Sequence, residues 1–235
     1  MRDFIFGSEL KYYNNGYGKV AVLLEPYELH PEDYIKAASM DFDAVLCNHK
    51  RFVERYDNWL WYPLGGTFID EQDWNIYEKK DGISMFISNK DTMPGHKLRH
   101  KILREFKDDE IDFYGLAVNN YVGKKIDGLR DYRFSIVIES CRERGYFTEK
   151  IIDCFLTGTI PIYWGDPDIG DIFDLDGIVL FNDLDETLRL TSTYSIYSKY
   201  LYDTALSAVR ANFQTAKKYA NYKENIKRIY EGIIE

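Results

Sequence analysis

The chain has little of what would link it to a membrane, a metal or a polyanion. No run approaches the roughly 18–20 apolar residues of a membrane-spanning helix, and the opening MRDFIFGSEL has neither the basic region nor the apolar core of a secretory signal. There are 3 cysteines, Cys47, Cys141 and Cys154, without CxxC spacing, and the last two sit in apolar segments. That pattern predicts buried thiols in a reducing compartment. The 4 histidines, His30, His49, His96 and His100, offer no HxxxH pair on an apolar face, so no metal is predicted. Lys and Arg number 30 against 39 Asp and Glu, a net charge of −9. Such a chain has no general field for nucleic acid, and any phosphate must be met by local charge. Neither GxGxxG nor GxxxxGK[ST] occurs, which sets aside dinucleotide and P-loop enzymes. The expectation is a cytoplasmic protein without nucleic-acid or integral membrane contact.

What is present is a pattern of short buried strands and helices. With 235 residues, 45% of them hydrophobic, the chain can bury a substantial core in one large or two small domains. KVAVLLE (19–25) and FDAVLC (42–47) read as strands joined by a segment whose later part can be helical, a βαβ signature. WLWYPLGG (59–66) reads as a strand leaving into a turn. After the polar DEQDWNIYEKKDG the pattern restarts: strand 83–88, helix 96–106, strand 111–115, strand 133–140, a helix opening at Thr148, and strand TIPIYWG. Thr148 suits an N-cap and Gly158 a left-handed C-cap. From about 185 onward the chain reads as helical, with Tyr219, Tyr222, Ile226, Ile229, Tyr230 and Ile233 on one stripe. This predicts two adjacent α/β units with mostly parallel sheets: 1–80, 81–215, and a final helix, 216–235, docked on the body.

In open α/β sheets, ligands bind beyond the carboxyl ends of strands, where helix N-termini present free N–H groups. Two crossovers of the second unit carry cations there: SNKDTMPGHKLR with Lys97 and Arg99, and ESCRERGYFTEK with Arg142, Arg144 and Lys150. At the helix opening at Thr148, Lys150 can reach an anion over the N-terminus. Glu149, favoured by the dipole, stays ionised and can accept hydrogen bonds from hydroxyls. Glu139 ends a buried strand, where a carboxylate needs a partner or a task. In LLEPYELHPED, Glu25 and Glu28 follow a strand of the first unit and can face the same cleft, available for general-base work. Each placement also has a plain structural reading: a dipole-complementing Glu149, a solvated face for Lys97 and Arg99, a strand-ending Glu25. The residues alone do not separate the two.

YRFSIVIES followed by YFTEKIIDCFLTGTIPIYWGDPDI resembles the signature region of glycosyltransferase family 10, the α-1,3/α-1,4-fucosyltransferases. FISN with RHKILREF is similar to the family's Ser-Asn element and helix-opening Arg, IDFYG to its next strand, and VLLEP to the stretch around its acidic residue. Roughly residues 19 to 175 are covered. The resemblance implies a GT-B fold, two facing Rossmann-like units with a reduced N-terminal acceptor-side unit. It also implies inverting, metal-independent and cofactor-free transfer from the nucleotide-sugar donor GDP-β-L-fucose to a glycan acceptor. By position, the two catalytic carboxylates are Glu25, which maps to the general base, and Glu149, which maps to the residue holding the fucose hydroxyls and the developing positive charge of the ring. Arg99, Glu139, Ser140, Tyr146, Thr148, Lys150 and Asn89 map to the donor site. Two departures are visible: Ser140 and Ile138 stand where the family has Asn and Phe, and the first unit is shorter than usual. A transferase using another nucleotide sugar and a non-catalytic binding module are the alternatives.

Overall fold

Val20, Ala21 and Val22, with Ala44 to Cys47, are almost wholly enclosed, as strands covered on both faces must be. Their alternation divides them between two cores. Ala21, Val45 and Cys47 face Tyr34 and Ala37, whereas Val20, Val22, Ala44 and Leu46 face Tyr62 and Ile226. A computed structural model describes residues 3–106 and 111–234. In chain order its elements are β1 (Asp3–Phe6), β2 (Lys19–Val22), α1 (Pro31–Ala38), β3 (Ala44–Cys47), α2 (Lys50–Val53), β4 (Trp59–Trp61), β5 (Lys80–Phe86), α3 (Pro94–Glu105), β6 (Asp112–Tyr114), β7 (Tyr132–Ile138), α4 (Glu149–Leu156), β8 (Ile160–Trp164), β9 (Val179–Leu180), α5 (Leu184–Ile196), α6 (Ser198–Thr204), α7 (Leu206–Tyr219) and α8 (Tyr222–Ile234).

The first sheet runs β1-β2-β3-β4 and the second β6-β5-β7-β8-β9. All pairings within both are parallel. Two strands escaped the sequence reading. β1 is a four-residue edge strand with one fully buried side chain, Ile5, too short to show a period. β9 has two residues. The helix expected from His96 starts two residues earlier, at Pro94, which suits the first helical position. Gly158 closes α4 with φ +68°, as the sequence predicts.

The last helix returns to the first unit. Ile226 and Ile229 of α8 pack on the outer face of the first sheet, and Asn225 donates to the Leu64 and Tyr219 carbonyls. The side chains of Tyr230 and Ile233, assigned to the same stripe, lie outside the described residues. No described helix is long and apolar enough to cross a membrane.

Candidate functional site

The strand order of the second sheet places the second strand of the unit outside the first, so the winding reverses between β5 and β7. Crevices form at such switch points, beyond the carboxyl ends of the strands. A cavity of about 440 Å³ lies there, reached by Ser88 after β5, Gly115 after β6 and Ser140 after β7. Its size falls within the roughly 300–1,000 Å³ of ligand pockets.

The helix tip on one wall is built around a buried carboxylate. Glu139 has no exposed surface. Its Oε1 accepts from the Thr148 N–H at 3.0 Å, and its Oε2 accepts from Thr148 Oγ1 at 2.8 Å and Lys150 Nζ at 3.1 Å. Thr148 caps α4, its Oγ1 accepting from the Lys150 N–H at 3.4 Å and from Lys150 Nζ at 2.8 Å. Glu149 and Lys150 line the cavity, their charges 3.4 Å apart. Burial opposes both charges. For Lys150, Glu139 and Glu149 outweigh burial and the repulsion of Arg99, so its pKa lies above the ordinary lysine value. For Glu149, burial is outweighed by Lys150 and Lys125 with hydrogen bonds from Thr148 and its own backbone, so its pKa lies below the ordinary value. Both groups stay ionised at neutral pH.

The opposite wall is α3. Gly95 lets its first turn press on the end of β7: a Cβ there would stand 1.8 Å from the Glu139 carbonyl oxygen, and the Gly95 N–H donates to the Ser140 carbonyl at 3.0 Å. Gly95→Ala is therefore expected to push α3 off the strand and destabilise the fold by about 1–3 kcal/mol, read from the urea midpoint. One turn on, Arg99 is 7% exposed and donates through Nε, at 3.1 Å, and Nη2 to the Ile138 carbonyl. That grip fixes the guanidinium plane on the cavity wall. His96 also lines the cavity. Its Nδ1 accepts from the Met93 N–H at 3.3 Å, and burial, then Arg99, Lys90, Lys150 and His100, press its pKa down to about 4. The ring is neutral with its proton on Nε2, a donor for a ligand.

Across the junction of the units stands Glu25. Hydrogen bonds from Asn48 to the Leu24 carbonyl (2.9 Å), Tyr34 to the Glu25 carbonyl (3.1 Å) and Tyr62 to the Leu23 carbonyl (3.2 Å) pin the chain after β2. The exposed Glu25 carboxylate has no bonded partner among the described residues, yet it is close enough to Tyr146 to act on it. Burial above all, then Glu139, Cys141, Glu149 and Glu25, raises the Tyr146 hydroxyl well above its usual pKa.

The sequence-derived candidates thus separate into groups. Arg99, Ser140, Glu149 and Lys150 share one cavity. Thr148 and Glu139 do not line it but are hydrogen-bonded to Lys150, which does. Tyr146 is buried at the junction, its ring 5.7 Å from that of His49. Asn89 is exposed between Ser88 and Lys90, which line the cavity. Lys97 is exposed outside it, Arg142 binds Asn182 at 2.7 Å, and Arg144 binds Asp168 and Glu54 at 2.7 and 2.8 Å. Sequence reasoning passed over His96, Lys90, Tyr121 and Lys125 as cavity residues. Tyr121 comes from a loop and Lys125 opens a one-turn 3₁₀ helix, Lys125–Gly128, both too short to show a period.

The sequence model of glycosyltransferase family 10 (fucosyltransferase), C-terminal part, matches residues 76–225. An α-(1,3)-fucosyltransferase, FucT, of Helicobacter pylori is 31% identical over 158 residues, which cover 64% of this chain and 29% of that protein. The match therefore takes in well under half of that relative's length. A crystal structure of an α1,3-fucosyltransferase with GDP-fucose superposes with a TM-score of 0.59 at 19% identity, covering 100% of this chain and 78% of the other. Anabaena HepE in complex with UDP and glucose gives a TM-score of 0.64 at 11% identity, covering 98% and 77%. At these identities the structural likeness is one of fold.

Proposed function

Because the chain belongs to glycosyltransferase family 10 and has two facing parallel-sheet units in the GT-B arrangement, we propose that it transfers L-fucose from GDP-fucose to a glycan hydroxyl with inversion. The observation that carries this reading is the convergence of Arg99 and the Glu149–Lys150 helix tip on one cavity. A diphosphate over the α4 N-terminus meets a planar guanidinium, an ammonium and the positive end of the helix dipole together. Glu149 is placed to accept from sugar hydroxyls. In the displacement the acceptor oxygen attacks the anomeric carbon, its proton passes to the Glu25 carboxylate, and the bond from that carbon to the phosphate oxygen breaks. Arg99 and Lys150 then face the charge that develops on departing GDP. These two cations meet the diphosphate, so the step as proposed uses no metal.

The second reading, transfer from a UDP-sugar, has support in the similar TM-score to the UDP- and glucose-bound neighbour and in Ser140, which replaces the family Asn. Calorimetry with GDP, GDP-fucose, GDP-mannose and UDP-glucose separates the two. GDP-fucose is expected to bind and to be consumed with a glycan acceptor; binding of UDP-glucose alone would remove the fucosyl assignment. In the same assay Arg99→Lys, which keeps the charge and loses the fork, is expected to weaken GDP binding about tenfold, the worth of one charge-assisted hydrogen bond.

A further inference from the structure

Outside the cavity, one buried cluster has no part in this chemistry. Glu28 and His49 come from the first unit and Cys141 from the second, and one ligand atom from each lies within 4.8 Å of the other two. His49 has no exposed surface. Both of its ring nitrogens and Glu28 Oε2 are buried atoms with no hydrogen-bond partner among the described residues. An imidazole enclosed with two unmatched nitrogens is costly unless something binds it.

The surroundings are arranged as a metal-ligating histidine requires. Nε2 faces Glu28 Oε2 at 3.8 Å and Nδ1 faces Glu143 Oε2, also at 3.8 Å. Arg51 holds the other oxygen of each carboxylate, Glu28 Oε1 at 2.5 Å and Glu143 Oε1 at 3.3 Å. One guanidinium thus turns a carboxylate toward each side of the ring. Ligating histidines commonly present one nitrogen to the metal and the other to a carboxylate that orients the ring. Here Glu143 is the orienting carboxylate, and Glu28 and Cys141 stand on the ligating side.

We propose that Glu28, His49 and Cys141 form a divalent-metal site, suited to Zn²⁺, that staples the two units together behind Tyr146. Oxygen, nitrogen and sulfur donors in one set suit zinc. Ligand atoms around tetrahedral zinc stand roughly 3.3–3.8 Å apart, given bond lengths of about 2.0–2.3 Å, so from separations within 4.8 Å binding draws the cluster in by no more than roughly 1–1.5 Å. The thiol proton leaves to solvent, and thiolate and carboxylate together balance the ion's charge. Three protein ligands leave a fourth position for water. The spacing rules that predict no metal fail here because the ligands are contributed by three separate segments. The staple needs no part in turnover, so it stands or falls apart from the transfer reaction.

The test uses the whole chain, stripped with a chelator and titrated with Co²⁺ as a spectroscopic probe and with Zn²⁺ in competition. One equivalent of Co²⁺ is expected to give tetrahedral d–d bands with a thiolate-to-cobalt charge-transfer band, and Zn²⁺ to displace it and raise the melting temperature. Cys141→Ser should abolish the charge-transfer band, and Glu143→Gln should lower metal affinity 10–100-fold with the far-ultraviolet circular dichroism unchanged. A wild-type Co²⁺ spectrum without a thiolate band overturns the proposal whatever the variants do, as does equal affinity in a folded Cys141→Ser chain.

Discussion

Replacing Glu25 with Gln is expected to lower the fucosyl-transfer rate by about 10²–10⁴-fold, the usual contribution of a positioned general base, and to leave GDP affinity unchanged. Glu25 touches neither the cavity wall nor the cations that would hold a diphosphate, so donor binding does not depend on it. Its backbone is fixed by the Asn48, Tyr34 and Tyr62 hydrogen bonds, and an amide of the same shape disturbs none of them. What the amide cannot do is take a proton. Glu28, three residues on, is no substitute, because Arg51 holds its carboxylate. The contrast is Glu149→Gln, which alters a residue on the cavity wall and should change donor affinity together with turnover. Single-turnover rates with saturating acceptor, set beside calorimetric GDP binding, check both. A transfer rate unaltered in Glu25→Gln removes this carboxylate from the chemistry.

The two-unit plan was legible because its strands are covered on both faces and therefore run as unbroken apolar stretches, as at Val20–Val22 and Ile160–Tyr163. Thr148 announced a helix start through local chemistry alone, and its side chain does cap α4. Glu139 shows where that reasoning stops. The rule that a buried carboxylate requires a partner pointed to the right residue, but the partners, Thr148 and Lys150, follow it by about ten positions, and spacing gave no reason to join them. Arg99 and Lys97 lie two residues apart on α3, and only the helix phase decides that the first is buried and the second exposed. His49, Glu28 and Cys141 meet across a junction, so no window of sequence contains them together.

Lys150→Ala is expected to act twice, and the two effects can be taken apart. Removing the ammonium takes one cation from the diphosphate, an expected loss of about 10–100-fold in GDP affinity, equivalent to roughly 1.5–3 kcal/mol for a charged contact. It also leaves Glu139, which has no exposed surface, without its countercharge. Breaking a buried pair in this way costs roughly 3–5 kcal/mol. The lower end applies, because the Lys150 side chain keeps 25% of its surface exposed and water can enter where it stood. Adding Glu139→Gln removes the stranded charge, while the amide oxygen can still accept from the Thr148 N–H. The double variant should therefore regain most of the lost urea resistance and none of the lost GDP affinity. If stability does not return, the cost arises elsewhere than at the Glu139 carboxylate. If GDP binds Lys150→Ala as tightly as the parent chain, the ammonium serves only to neutralise Glu139, and the phosphate must be held by Arg99 and the dipole of α4 without it.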